Sequence, residues 1–108
     1  MPIKYDLSDE EIFKLMDQIN GLLVPGGGTE LTFDKEEKKE KFGNLTKFGS
    51  QAIKIMKYAE KLNQKIYFPV WGTCLGYEAM LLAASDNNTI LENYDSSNHT
   101  ESLQFVRY

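Results

Sequence analysis

The only cysteine of this 108-residue chain, Cys74, is bracketed by Gly72 and Gly76, each two residues away. An apolar run at residues 67–71 precedes it, and a helix-like pattern follows it. This spacing is typical of a nucleophile elbow, where a strand ends, the chain turns sharply and a helix begins. The free N–H groups and dipole of a helix start favour a thiolate. A lone cysteine is more often a small buried hydrophobe, but this setting favours a nucleophile.

A cysteine hydrolase also needs oxyanion donors and a base. The amide of Leu75, which follows the nucleophile, is one expected donor. The glycine-rich loop at residues 26–28 is expected to turn a second amide toward the same point, although such a loop alone is more often just a turn. The only histidine, His99, lies in a polar segment. A lone surface histidine is usually inert, and nothing in the sequence positions this one.

Three other side chains near the elbow are candidates for substrate contact. Glu78 lies one helical turn after Cys74, so its carboxylate is expected at the mouth of the site, where it would bind a polar substrate group. The alternative is a solvated helix glutamate. Trp71 and Tyr77 flank the turn, and their roles as pocket walls or as packing residues stay open.

The composition places the chain among ordinary globular domains. It is 42% hydrophobic and 26% charged, and its length suits a single domain. The net charge of −4 lacks the basic footprint of a nucleic-acid partner. One cysteine excludes an internal disulfide framework and a multi-cysteine metal site. No apolar run reaches membrane-spanning length, and the first residues do not form a signal peptide.

The hydrophobic pattern predicts an α/β fold with a mainly parallel sheet. We expect strands at residues 2–6, 22–24 and 66–71, with weaker strand-like segments at 90–94 and 103–106. We expect helices at 9–19, at 42–62 and at 75–84. The first is expected to be capped by Ser8 and Glu11 and to end at Asn20-Gly21, with the glycine just past its last turn. Residues 22–24 read as a central strand covered on both faces, and Pro69 as a bulge or a switch in pairing. The loop at 25–29 then lies at the carboxyl end of the sheet, where open α/β sheets bind ligands.

Three Asn-x-Thr triplets match acceptor motifs for N-linked glycosylation. They begin at Asn44, Asn87 and Asn98. Such short motifs recur by chance, and Asn44 lies close to a predicted helix. If the chain entered a secretory route, the latter two could be used.

Two blocks of the chain closely resemble the gamma-glutamyl hydrolases, folate polyglutamate hydrolases within the class I glutamine amidotransferase-like superfamily. These blocks are Ile-Asn-Gly-Leu-Leu-Val-Pro-Gly-Gly at 19–27 and Phe-Pro-Val-Trp-Gly-Thr-Cys-Leu-Gly-Tyr-Glu at 68–78. The resemblance extends over roughly residues 2–95 and implies a partial flavodoxin-like, three-layer sandwich. We therefore expect residues 1–108 to form one domain, truncated relative to the family.

The resemblance implies a thiol hydrolase that cleaves gamma-glutamyl bonds of folylpoly-gamma-glutamates or gamma-glutamyl peptides through an acyl-enzyme, without metal or cofactor. Cys74 corresponds to the nucleophile, Gly27 and Leu75 to the oxyanion donors, and Glu78 and Gly26 to substrate-contacting residues. The family's catalytic histidine lies well beyond Tyr108 in register, so we expect this chain to lack its base.

The resemblance further implies a homodimer and a lysosomal, vacuolar or extracellular location. A complete chain without a signal peptide would instead be cytoplasmic. Two other functions stay open: a catalytically incomplete remnant that binds a gamma-glutamyl ligand or a partner, and a glutamine amidotransferase subunit. The Pro69 and Trp71 context favours the hydrolase family over the amidotransferase.

Overall fold

The computed structural model describes residues 1–33, 43–92 and 94–106. Within them the chain forms α1 (Asp9–Met16), β1 (Leu22–Val24), α2 (Lys47–Asn63), β2 (Val70–Gly72) and α3 (Leu75–Ser85). The two strands pair in parallel, with Leu23 opposite Trp71 at the centre of the register. The described chain is therefore α/β with a small parallel sheet, as the sequence predicts.

Helix α1 begins with the predicted capping box. The Ser8 hydroxyl accepts a hydrogen bond from the Glu11 amide, and the Glu11 carboxylate accepts one from the Ser8 amide at 3.0 Å. The helix ends at Met16, so the prediction that it continues to residue 19 and stops at Gly21 is wrong. Gly21 serves a different purpose, because a Cβ there would lie 2.9 Å from the carbonyl oxygen of Pro69.

Helix α2 begins at a side-chain cap. The Thr46 hydroxyl accepts from the Gly49 amide at 2.9 Å and donates to the Glu30 carbonyl at 2.7 Å. Leu45, which the sequence predicts to be helical, instead pairs with Thr32 in an isolated antiparallel bridge. The predicted start of this helix at residue 42 lies outside the described residues. Its end is close to the prediction.

Two apolar clusters hold the layers together. One joins α1, α2 and the segment before β2, and the other joins α2 and α3 to the sheet. The first is built on the buried side chains of Ile12, Met16, Ala59 and Phe68. The second is built on those of Leu31, Ala52, Met56, Leu75, Ala79 and Leu82. Leu22 and Val70 pack against both clusters, so the sheet links them.

Several strand predictions fail. Residues 2–6 form no strand, and neither do the described residues of 90–94 and 103–106. The strand predicted at 66–71 is confined to Val70–Gly72. Pro69 precedes it and makes no bulge, because its carbonyl accepts from the Leu22 amide at 2.9 Å.

The prediction that β1 is covered on both faces is also wrong. Leu23 is 69% exposed, and Trp71, directly opposite on β2, is 70% exposed. One face of this small sheet is therefore uncovered within the part of the chain that the structure describes.

Candidate active site

Cys74 lies at the turn between β2 and α3, with a backbone conformation that few non-glycine residues adopt. Its φ is 51° and its ψ is −113°. Such a conformation costs about 1–3 kcal/mol and persists where the surroundings enforce it. Here the Thr73 amide donates to the Val24 carbonyl at 3.0 Å, and the Glu78 amide donates to the Cys74 carbonyl at 3.1 Å. The thiol is exposed at the tip of this turn.

The glycine bracket is explained by backbone contacts rather than by turn flexibility. A Cβ on Gly76 would lie 2.2 Å from the Val24 carbonyl oxygen, and one on Gly72 would lie 2.6 Å from the carbonyl carbon and oxygen of Gly76. Real Cβ atoms do not approach backbone so closely. Only glycine at these two positions lets the first turn of α3 press against both strands.

The glycine-rich loop after β1 meets the elbow. A Cβ on Gly26 would lie 3.1 Å from Cys74 Cβ and 3.8 Å from its Sγ, and one on Gly27 would lie 3.5 Å from a Leu75 methyl group. The carboxyl ends of neighbouring parallel strands lie at the same sheet edge, so the two segments meet there. The structure thus brings four of the predicted site residues together, Gly26, Gly27, Cys74 and Leu75.

The amide of Leu75 lies at the start of α3, directly after Cys74. Leu75 is the first residue of α3, where amides have no intrahelical partner. The nearby Thr73 carbonyl is taken by the Gly76 amide at 2.9 Å. Within the described segments the Leu75 amide has no backbone acceptor. Among the described residues this amide is thus an unpaired donor at the start of α3.

A cavity of about 350 Å³ opens next to the elbow. Loop residues 27–32, Leu75, Glu78, Leu91 and Glu92 line it. The acidic residues among this lining are Glu30, Glu78 and Glu92. Carboxylates accept hydrogen bonds only, so the cavity favours a ligand group that carries N–H or positive charge.

No motif or spacing in the sequence singles out Glu30, Glu92 or Leu31. Leu31 is buried in the core while it also lines the cavity. The position of Glu30 shortly after the glycine-rich loop was the one available signal, and it was weak.

His99 is not among the residues that line the cavity. Its Nε2 is 2.7 Å from a carboxylate oxygen of Glu101, and both side chains are largely exposed. No side chain among the described residues hydrogen-bonds the Cys74 thiol. Trp71 and Tyr77 lie on the surface, which argues against the packing interpretation of these two aromatics.

Residues 1–33, 43–92 and 94–106 contain neither a metal-binding cluster nor a membrane-spanning helix. No group of three or more His, Cys, Asp or Glu residues there is arranged to hold a metal ion. None of the helices in those ranges has both the length and the apolar character that crossing a bilayer requires.

The second strand of the parallel sheet ends two residues before a cysteine, a helix follows that cysteine, and a glycine-rich loop lies beside it. These features define an α/β protein with a sharp strand-to-helix turn at a cysteine. The family model described as Peptidase C26 matches residues 1–105. The chain therefore belongs to the Peptidase C26 family.

Curated relatives agree with this assignment. The chain is 37% identical over 106 residues to the mouse protein named gamma-glutamyl hydrolase, covering 98% of this chain and 30% of that protein. It is 31% identical over 106 residues to gamma-glutamyl hydrolase 1 of Arabidopsis thaliana, covering 98% and 27%. It is 35% identical over 86 residues to the human gamma-glutamyl hydrolase, covering 79% and 23%. The chain thus spans less than a third of the length of these relatives. No solved structure matches it at a significant level.

Proposed function

We propose that this chain carries the nucleophile half of a cysteine hydrolase that cleaves gamma-glutamyl bonds. The observation that carries the proposal is Cys74 at a strained strand-to-helix turn, in contact with the Gly26 loop. We infer the type of bond from the relatives, which are named gamma-glutamyl hydrolase. The substrate class we infer is folylpoly-gamma-glutamate or a gamma-glutamyl peptide.

In the proposed reaction the Cys74 thiolate attacks the γ-carbonyl carbon, and the carbonyl π electrons move onto oxygen. The amides of Leu75 and Gly27 stabilise this oxyanion. The intermediate collapses, the C–N bond breaks, and the amine leaves with the proton that a base took from the thiol. Water then attacks the thioester, which releases the γ-carboxylate and restores the thiol. We assign the base's role to no residue of this chain, because His99 is exposed and pairs with Glu101.

The cavity beside the elbow is the proposed substrate site. Its volume of about 350 Å³ is at the small end for ligand pockets and suits one glutamyl residue. Glu78 would accept a hydrogen bond from the nitrogen on the α-carbon of that residue. Gly26, which a side chain would push into Cys74, leaves room for the scissile bond.

Two measurements on the isolated chain test the nucleophile. The rate of alkylation of Cys74 by iodoacetamide near neutral pH should be higher in the folded chain than in the same chain unfolded in urea. A folded-state rate at or below the unfolded-state rate would contradict the proposal, because an inert thiol gains nothing from the fold.

Turnover is the second measurement. Loss of a general base typically costs about 10²–10⁴ in rate, so hydrolysis of a gamma-glutamyl peptide by this chain alone should be slow. Efficient hydrolysis that disappears in Cys74→Ala would show that the base is present after all. Glutaminase activity above gamma-glutamyl peptidase activity would instead support the amidotransferase alternative.

We also infer, from the family resemblance, a homodimer and a lysosomal, vacuolar or extracellular location. The acidic net charge of −4 supports a small-molecule rather than a nucleic-acid partner. Sedimentation equilibrium of the purified chain tests the dimer.

A further inference from the structure

The three Asn-x-Thr triplets have no part in the proposed reaction, and the structure separates them. The triplet that begins at Asn87 follows directly after α3, where Asp86 closes the helix with a left-handed backbone. Asn87 and Thr89 are both exposed. An acceptor asparagine must be reachable in the finished fold, because the glycan is far larger than the side chain that carries it.

The side chains of this triplet are paired with each other through one particular atom. Asn87 Oδ1 accepts from the Thr89 amide at 3.0 Å and from the Thr89 hydroxyl at 2.8 Å. Asn87 Nδ2 makes no hydrogen bond within the described residues. The folded loop thus uses the oxygen of the amide, while the glycan attaches to its nitrogen. A glycan on Nδ2 leaves both hydrogen bonds of this turn in place.

The triplet at Asn44 is arranged differently. Its threonine, Thr46, caps α2 and also donates to the Glu30 carbonyl. The Asn44 carbonyl accepts from the Phe33 amide. The hydroxyl that the motif requires is therefore committed to the fold. At Asn98 the backbone φ is 57° and the segment is exposed, but Asn98 and Thr100 share no hydrogen bond there.

We propose that Asn87 is an acceptor for an N-linked glycan in the lumen of the endoplasmic reticulum. The proposal rests on the secretory location inferred above. Asn87 Nδ2 attacks the anomeric carbon of a lipid-pyrophosphate-linked oligosaccharide and loses one proton. The bond from that carbon to the pyrophosphate oxygen breaks, and the lipid pyrophosphate leaves. A glycan on Asn87 would be attached away from the thiol, because the 11 residues of α3 separate Asn87 from Cys74 by roughly 16 Å.

Cell-free translation with endoplasmic reticulum microsomes tests the site directly. The chain is fused behind a cleavable signal peptide, and only chains protected from added protease are scored, so failure to enter the microsomes does not affect the result. Enzymatic release of N-glycans converts an occupied asparagine to aspartate, which peptide mass spectrometry locates. We expect occupancy at Asn87, and an unmodified Asn87 in protected chains would overturn the proposal.

Paired variants separate the motif from the surrounding loop. Asn87→Gln and Thr89→Ala should abolish occupancy at this site, whereas Asn88→Gln and Thr89→Ser keep the motif and should retain it. Loss of occupancy in Asn88→Gln would point to loop structure rather than to the motif and would also overturn the proposal. Cys74→Ala should be glycosylated like the wild type, so failure of the proposed hydrolase activity leaves this result intact.

A second measurement tests the distance argument. The glycosylated chain should show the same Cys74 alkylation rate before and after enzymatic removal of the glycan. A rate that rises on removal would mean that the glycan shields the elbow, contrary to the placement of Asn87 at the far end of α3.

Discussion

Gly76 presses its Cα against the carbonyl of Val24, so closely that a Cβ would lie 2.2 Å from the oxygen. The same oxygen accepts the Thr73 amide at 3.0 Å. One carbonyl at the end of β1 therefore fixes both sides of the Cys74 turn. The depth at which α3 starts, and with it the position of the thiol, is set by backbone contact.

This contact predicts a large cost for Gly76→Ala. Alanine should raise intrinsic helix stability by up to about 1 kcal/mol, yet overpacking against backbone typically costs about 1–3 kcal/mol, occasionally more. We expect a net loss in the free energy of unfolding, measured by urea denaturation. Gly28→Ala is the control, because a Cβ there meets nothing within 4 Å. Equal stability of the two variants would contradict the contact.

The backbone conformation at Cys74 predicts that glycine is more stabilising than alanine there, the reverse of their order at an ordinary helical position. At a φ of 51° and ψ of −113°, glycine is unstrained and alanine is not. We expect Cys74→Gly to unfold at higher urea than Cys74→Ala, by about 1 kcal/mol in free energy. At Ala84, an exposed helical position of α3, glycine should instead be the less stable residue. If Cys74→Ala proves the more stable of the first pair, the turn is not strained.

We predict that Asp9 makes a pH-dependent contribution to the stability of the fold. Lys54 Nζ donates to its carboxylate at 2.8 Å and Gln51 Nε2 at 3.0 Å, and these hydrogen bonds lower the pKa of Asp9 below its ordinary value of 3.8. A carboxyl whose pKa is lower in the folded state stabilises the fold above the unfolded-state pKa. That contribution is lost as the pH falls through the folded-state pKa.

We therefore expect Asp9→Asn to lower the urea midpoint at neutral pH by a small, salt-sensitive amount. The difference from wild type should shrink as the pH falls below 3.8 and vanish under more acidic conditions. Glu10→Gln, in the same helical turn but without a side-chain hydrogen bond in the described structure, controls for loss of one charge. A difference that persists in acid would assign the effect to something other than ionisation.

We predict that the Thr46 side chain, which caps α2, also stabilises the wall of the cavity. Its hydroxyl accepts from the Gly49 amide and donates to the Glu30 carbonyl. Loss of a threonine cap costs about 1 kcal/mol, and we expect Thr46→Ala to lose that much in thermal or urea denaturation. Thr46→Ser retains the hydroxyl and should lose little. If serine is as destabilising as alanine, the methyl group rather than the cap matters here.

We predict that Glu78 affects how well a bound ligand protects Cys74 from alkylation. A gamma-glutamyl peptide should slow the alkylation of Cys74 by occupying the adjacent cavity. A hydrogen bond to a charged group contributes about 1.5–3 kcal/mol and one to a neutral group about 0.5–1.5 kcal/mol. Glu78→Gln keeps an acceptor oxygen but loses the charge, so it should need roughly fivefold more peptide for the same protection. Glu101→Gln, at the exposed pair with His99, is the control. Equal protection in both variants would remove Glu78 from the binding site.

The parts of this molecule that follow local rules were predictable. The Ser8 and Glu11 box, the strand-to-helix turn at Cys74 and the helix from Leu75 each depend on residues within a few positions of one another. The sequence therefore identified these features and the residues that carry them. The pairing of the loop at Gly26 with the elbow followed from the parallel topology, which is a rule about folds rather than about residues.

What failed depends on tertiary contacts. Gly21 looked like a helix terminator, but its space is needed by Pro69. Leu23 looked buried because it is apolar, yet the structure leaves that face of β1 open. Glu30 and Glu92 carry no motif, and only the folded loop and the segment after α3 bring them to the cavity. The periodicity of a single sequence does not predict such contacts between distant segments.

The tryptophan beside the elbow has a practical consequence. Trp71 is the only tryptophan of the chain, and its indole Nε1 donates to the Thr73 hydroxyl at 3.1 Å, next to Cys74. The indole fluorescence of the folded chain therefore originates three residues from the thiol, on the open face of the sheet. Its emission should resemble that of a solvated indole and be readily quenched by acrylamide. Whatever covers that face should shift the emission to shorter wavelength, so the indole reports coverage of the open sheet face without a label.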